Sequence, residues 1–164
     1  MNEFKGYSNE TKKIINNPKF INSCEKFIEN ILSIFIEDEL EFLISLNLDE
    51  IEAYPKIEGE LYSHLKMQKY FILPIRSFSH FHILDKKIFF EIGLGLKELE
   101  EEEPVYYSLT IPFYSILHII SSDKQVIFEN PLFHNSDLRI QEKINHSTNI
   151  FLSNPDNSSF LTKK

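Results

Sequence analysis

An α+β fold with a mostly β core is predicted by a change of hydrophobic period along the 164-residue chain. Phe20, Ile21, Cys24, Phe27, Ile28, Ile31, Leu32 and Phe35 recur at steps of three and four, the spacing of one face of an amphipathic α-helix. From Leu40 the step becomes two. Leu40, Phe42, Ile44, Leu46 and Leu48 alternate, as do Ile88, Phe90, Ile92, Leu94 and Leu96, and then Val105, Tyr107, Leu109 and Ile111. That is the spacing of strands with one face buried.

Taken in order, residues 1–17 are polar and predict a loosely ordered segment with at most a short helical turn. Asn17-Pro18 then marks a helix start, because Asn caps the orphan N–H groups and Pro suits the first helical position. The helix runs over residues 18–36. A strand is predicted over 40–48 and a short helix over 58–66. Strands follow near 70–75, 78–84 and 88–96, with Asp85-Lys86 as the tight turn between the last two. The run Lys97-Glu98-Leu99-Glu100-Glu101-Glu102-Glu103 reads as a solvated loop. The strand from Val105 stops at Pro112, which has no N–H to give to a ladder. Phe113, Ile116, Leu117 and Ile120 return to helical spacing, and Gln125–Phe128 forms a last short strand. Beyond Pro131 the apolar residues are sparse and unperiodic, which predicts a disordered tail over 131–164. The domain proper is thus expected over 18–130.

Composition narrows the function. The formal net charge is −8, so a whole-domain basic footprint for nucleic acid is absent. The most apolar stretch, 31–48, is broken by Glu37, Asp38, Glu39 and Glu41 and does not read as a membrane span. The single cysteine, Cys24, allows no internal disulfide. With no apolar signal region at the start, these features point to a cytoplasmic protein. Four glycines at positions 6, 59, 93 and 95 build no phosphate loop.

Catalytic motifs are missing. Neither a Gly-x-Ser-x-Gly elbow nor a His-Glu-x-x-His helix occurs. His80-Phe81-His82 puts two imidazoles on one side of a strand, where they could share a metal, but no third ligand falls in register. Cys24 lies on the apolar stripe of the helix and reads as a core thiol. Glu91 interrupts an apolar strand and reads as a residue facing water or a bound peptide backbone. No enzyme activity, metal or cofactor is expected.

Several segments resemble the stringent starvation protein B (SspB) family. Phe90-Glu91-Ile92-Gly93-Leu94 is similar to a Phe-Glu-Val-Gly-Leu strand of that family. Leu109-Thr110-Ile111-Pro112-Phe113-Tyr114-Ser115-Ile116 is similar to its strand-to-helix junction, and Phe128-Glu129 to the strand after it. Glu41 to Leu46, Glu60 to Lys66 and Tyr70 to Leu73 match more loosely. The likeness spans roughly residues 20–130.

The resemblance implies an N-terminal helix packed on a mostly antiparallel, partly open, barrel-like β-domain of two sheets. It implies a non-enzymatic adaptor that holds an ssrA-like degradation tag in a groove and delivers the tagged protein to the ClpXP protease. Leu73, Ile75, Glu91, Ile92, Gly93 and Leu94 would form that groove. The tail would end in a docking motif for the N-terminal domain of ClpX, here Phe160, Leu161, Thr162, Lys163 and Lys164, and helix 18–36 would join two copies. A flexible tether lets such a weak motif act at millimolar effective concentration. A secretion or flagellar export chaperone, also small, acidic and without catalytic motifs, is the alternative. Such a chaperone has no need of the long tail.

Overall fold

The computed structural model describes residues 7–67, 71–76, 80–94, 105–135, 144, 147–151 and 153. Two helices lead the chain. In α1 (Asn9–Ile15) the Ser8 hydroxyl accepts from the Thr11 N–H at 3.2 Å. In α2 (Pro18–Glu37) Asn17 accepts from the Lys19 N–H at 2.9 Å, so the cap read from Asn17-Pro18 forms. The end of α2 carries no such signal in the sequence. There Leu40 N–H donates to the Phe35 carbonyl at 2.8 Å and Glu39 N–H to the Ile36 carbonyl at 3.2 Å. This is a Schellman closure with Glu39, at φ 52°, in the place glycine usually takes.

The strands are β1 (Phe42–Leu46), β2 (Glu52–Tyr54), β3 (Phe71–Ile75), β4 (His82–Leu84), β5 (Lys87–Leu94), β6 (Val105–Pro112), β7 (Ile116–Ser121) and β8 (Val126–Glu129). Helix α3 (Gly59–Lys66) joins β2 to β3, and Lys66 and Tyr62 anchor it to Asp49. One sheet has the order β3-β1-β7-β8 and the other β2-β6-β5-β4, with every neighbouring pair antiparallel. The two sheets are separate and are not closed into a barrel. Pro74 sits on edge strand β3, where its missing N–H costs no ladder bond on the open side.

Both sheets and α2 share one core. Ile28 and Leu32 of α2, Ile44, Leu73 and Ile119 of the first sheet, and Ile88, Leu109 and Ile111 of the second belong to a single buried cluster. Each such side chain contributes about 1.5–3 kcal/mol on full burial. The ring of Phe35 stacks on Phe42 at 4.7 Å, and Phe27 meets Phe128 at 4.9 Å, so α2 lies along the β1–β7–β8 side of this core.

The helix expected over Phe113, Ile116, Leu117 and Ile120 is not there. Phe113–Ser115 make one 3-10 turn, and Ile116 opens strand β7. Strand β7 lies in the interior of its sheet and buries Ile116, Leu117 and Ile119, so apolar residues occupy both of its faces. A short run apolar on both faces carries no period that separates helix from strand.

The ends of the described domain also differ from expectation. Residues 9–15 form two helical turns with Ile15 buried, and Pro131–His134 form a 3-10 turn that buries Leu132 and Phe133. Asn135, itself buried, donates from Nδ2 to the Ile15 carbonyl at 3.0 Å. The folded unit therefore extends from α1 to Asn135, and the boundaries at 17 and 131 are both corrected. Residues 147–151 are helical as well.

Asn130 ties these parts together. It is 1% exposed. Its Nδ2 donates to the Phe113 and Ile116 carbonyls at 2.9 Å each, and its Oδ1 accepts from the Leu132 N–H at 3.1 Å. Asn130→Ala strands two carbonyls and an N–H in a dry site and should destabilise the protein by about 2–4 kcal/mol. Urea unfolding monitored by circular dichroism measures this, and a loss under about 0.5 kcal/mol would show that the corner holds without it.

Candidate functional site

The outer face of the second sheet follows from strand parity. In β5, Ile88 and Phe90 point into the core, so Phe89, Glu91 and Gly93 point out. Register then places His82 beside Phe89 and Phe89 beside Thr110. Glu91 lies beside Ser108, Ser108 beside Tyr54, and Gly93 beside Tyr106. The face is open to solvent, with Tyr54 82% and Tyr106 72% exposed.

A pocket of about 410 Å³ opens on this face. Phe81, Phe90 and Leu109 lie beneath it, with their side chains buried in the core cluster. His80, His82, Phe89, Glu91, Ser108 and Thr110 line it. The His82 ring lies flat on Phe89, with centroids 4.8 Å apart and planes 7° from parallel. His80 Nδ1 stands 3.7 Å from Glu91 Oε2. A volume near the low end of the 300–1,000 Å³ usual for ligand pockets suits one or two side chains better than a large cofactor.

The pocket is held in place by the β4–β5 hairpin. Asp85 and Lys86, at φ 50° and 61°, make its two-residue turn, as their position between two strands predicts. The Lys86 carbonyl accepts from the Phe113 N–H at 3.0 Å, and its ammonium lies 2.7 Å from Glu25 Oε2 on α2. Among the described residues strand β4 pairs only with β5. Leu84 and Lys87 close the hairpin as a hydrogen-bonded pair, so Ile83 turns its N–H and C=O to the open edge.

The groove residues expected from sequence divide three ways. Glu91 lines the pocket, and Gly93 lies two residues further along the same outward face. Ile92 and Leu94 point inward and pack half-buried against the core. Leu73 and Ile75 are corrected outright. They lie on β3 in the other sheet, 0% exposed, and cannot meet a ligand. Phe89, Ser108 and Thr110 were the positions missed. Their signal was parity with Glu91, once β5 and β6 are known to be neighbours. Residues 160–164 and the acidic run 97–103 lie outside the described residues.

His80 and His82 both line the pocket, but His80 lies in a turn ahead of β4, so the two do not stand on one side of a strand as expected. Among the described residues, no group of three or more His, Cys, Asp or Glu is placed to hold a metal ion. No helix among them is long and apolar enough to cross a membrane. No protein family, curated protein or solved structure matches the chain.

Cys24 is buried on α2, as its place on the apolar stripe predicts. Burial, and secondarily the neighbouring Glu25 carboxylate, push its thiol above the ordinary value. The thiolate is the reactive form, so Cys24 should react with Ellman's reagent in the native protein at pH 8 far more slowly than in urea. Equal rates in the two conditions would mean that the thiol is open to solvent.

Proposed function

We propose that the protein binds an extended peptide on the outer face of the β2-β6-β5-β4 sheet. The observation that carries this reading is the pocket itself. It sets the stacked rings of His82 and Phe89 among polar side chains on the outer face of the sheet, beside a strand that has a single neighbour among the described residues. An incoming segment adds main-chain hydrogen bonds at such an edge and places alternate side chains in the pocket, as in β-strand addition generally. Glu91, Ser108 and Thr110 supply polar partners for the segment's remaining groups.

At finer grain the reading is a proteolysis adaptor of the SspB kind, with an ssrA-like tag as the peptide and ClpX as the partner of residues 160–164. Its support is the wording of residues 90–94 and 109–116 together with the apolar-basic run Phe160 to Lys164. Pairing of two copies through α2 belongs to the same reading. Phe27 and Ile34 stay exposed on α2 and would be covered by it.

The test is fluorescence anisotropy of a labelled ssrA-tag peptide from the same genome, titrated with the protein. Binding at micromolar Kd is expected, absent for a scrambled tag. Phe89→Ala should weaken it about tenfold, the loss of roughly 1.4 kcal/mol. Tag binding unaffected by Phe89→Ala would move the site off this face, and no tag binding at all would remove the adaptor reading.

A further inference from the structure

Strand register surrounds the exposed Ser108 on four sides. Tyr54 stands opposite it on β2 and Glu91 opposite it on β5. Tyr106 and Thr110 flank it on the same face, each two residues away along β6. Neighbouring strands lie about 4.8 Å apart, so Tyr54 and Glu91 start roughly 10 Å from each other across the serine. The serine side chain is smaller than any of its four neighbours, and the space between them is left open. The pocket extends to this place, because Glu91, Ser108 and Thr110 all line it.

The groups around Ser108 suit a cation. Tyr54 and Tyr106 are exposed, and the face of an aromatic ring carries the negative end of its quadrupole. The Glu91 side chain is 51% exposed, and Glu52 lies exposed on the same face beside Thr110. Among the described residues neither carboxylate has a lysine or arginine partner, and Glu91 has the His80 imidazole at 3.7 Å. Lys87, on the same face of β5, is four residues from Glu91, about 13 Å along the strand. The net charge of −8 draws cationic segments toward the protein from a distance. An acidic side chain placed here would meet two carboxylates.

We propose that this place takes an arginine side chain of the bound peptide. The guanidinium lies over Ser108, stacks on the Tyr54 ring and donates two parallel N–H bonds to the Glu91 carboxylate. A flat, forked cation uses the ring and the carboxylate together, whereas a lysine ammonium brings a point charge without a flat face. The inference rests on the reading that this face takes peptides, and it names a side chain that such a peptide must carry. Ser108 lies three strand spacings, about 14 Å, from a segment paired to the outer edge of β4. The arginine therefore belongs to a stretch of the ligand that crosses the face, about four extended residues from the edge-paired stretch.

The test titrates the full chain with N-acetyl-arginine methylamide and follows the Ser108 amide and the Tyr54 and Tyr106 rings by NMR. The citrulline and lysine counterparts are the comparison, citrulline having the shape of arginine without its charge. The arginine compound should shift these resonances, with citrulline at least tenfold weaker and lysine between the two. Glu91→Gln and Tyr54→Ala alter exposed side chains, and each should weaken arginine binding at least threefold while circular dichroism stays unchanged. Equal shifts with arginine and citrulline, or none with either, would overturn the inference. If Phe89-dependent tag binding persisted in that case, the peptide face itself would stand. Arginine binding that survives both substitutions would place the cation elsewhere and also overturn it. Glu91-dependent arginine binding without any tag binding would support the arginine site and discard the tag as its ligand.

Discussion

The corner between β6 and β7 is the constraint on which the rest of the molecule depends. There the chain leaves one sheet and enters the other within the single 3-10 turn Phe113–Ser115. Such a turn leaves carbonyls without ladder partners in a place that water does not reach, and each is costly if left bare. Asn130 takes two of them with its side chain, and its own N–H donates to the Leu117 carbonyl at 2.8 Å. The Ser115 hydroxyl, wholly buried, donates to the Pro112 carbonyl at 2.7 Å. An amide side chain is suited to this position because it offers two donors and an acceptor from one planar group.

The site inherits its rigidity from that corner. Phe113 N–H reaches across to the Lys86 carbonyl in the β4–β5 turn, and Lys86 reaches on to Glu25 of α2. A hairpin ending in a three-residue edge strand would fray if left to its own ladder. Here its turn is fastened to two other elements, so His82 and Phe89 are presented on a fixed support while their rings stay accessible. Glu25 is a nearly buried carboxylate whose cation comes from an exposed turn lysine, so its charge is compensated without a second buried ion.

The two ends of the domain meet on the other side of the same corner. Residues 130–135 return from β8, bury Leu132 and Phe133, and close on α1 through Asn135 and Ile15. A polar, asparagine-rich segment thus becomes part of the fold through its amides. Hydrophobic periodicity, which reads only the apolar residues, is blind to that.

Much of the secondary structure was legible because it is local. The α2 stripe, the Asn17-Pro18 start, the Asp85-Lys86 turn and the alternation of β1, β5 and β6 each follow from short-range spacing or capping. Alternation also settled that Glu91 and its i±2 neighbours share a face opposite Ile88 and Phe90. Only the tertiary structure decided which strands lie side by side. It put Leu73 and Ile75 in the sheet opposite β5 and so into the core, made Ile116 the start of a strand, and brought His80, Glu91 and Ser108 around one pocket. Periodicity states which side of a strand is buried and not what buries it. That choice is made by long-range pairing and by buried amides such as Asn130, whose partners lie 14 and 17 residues away along the chain.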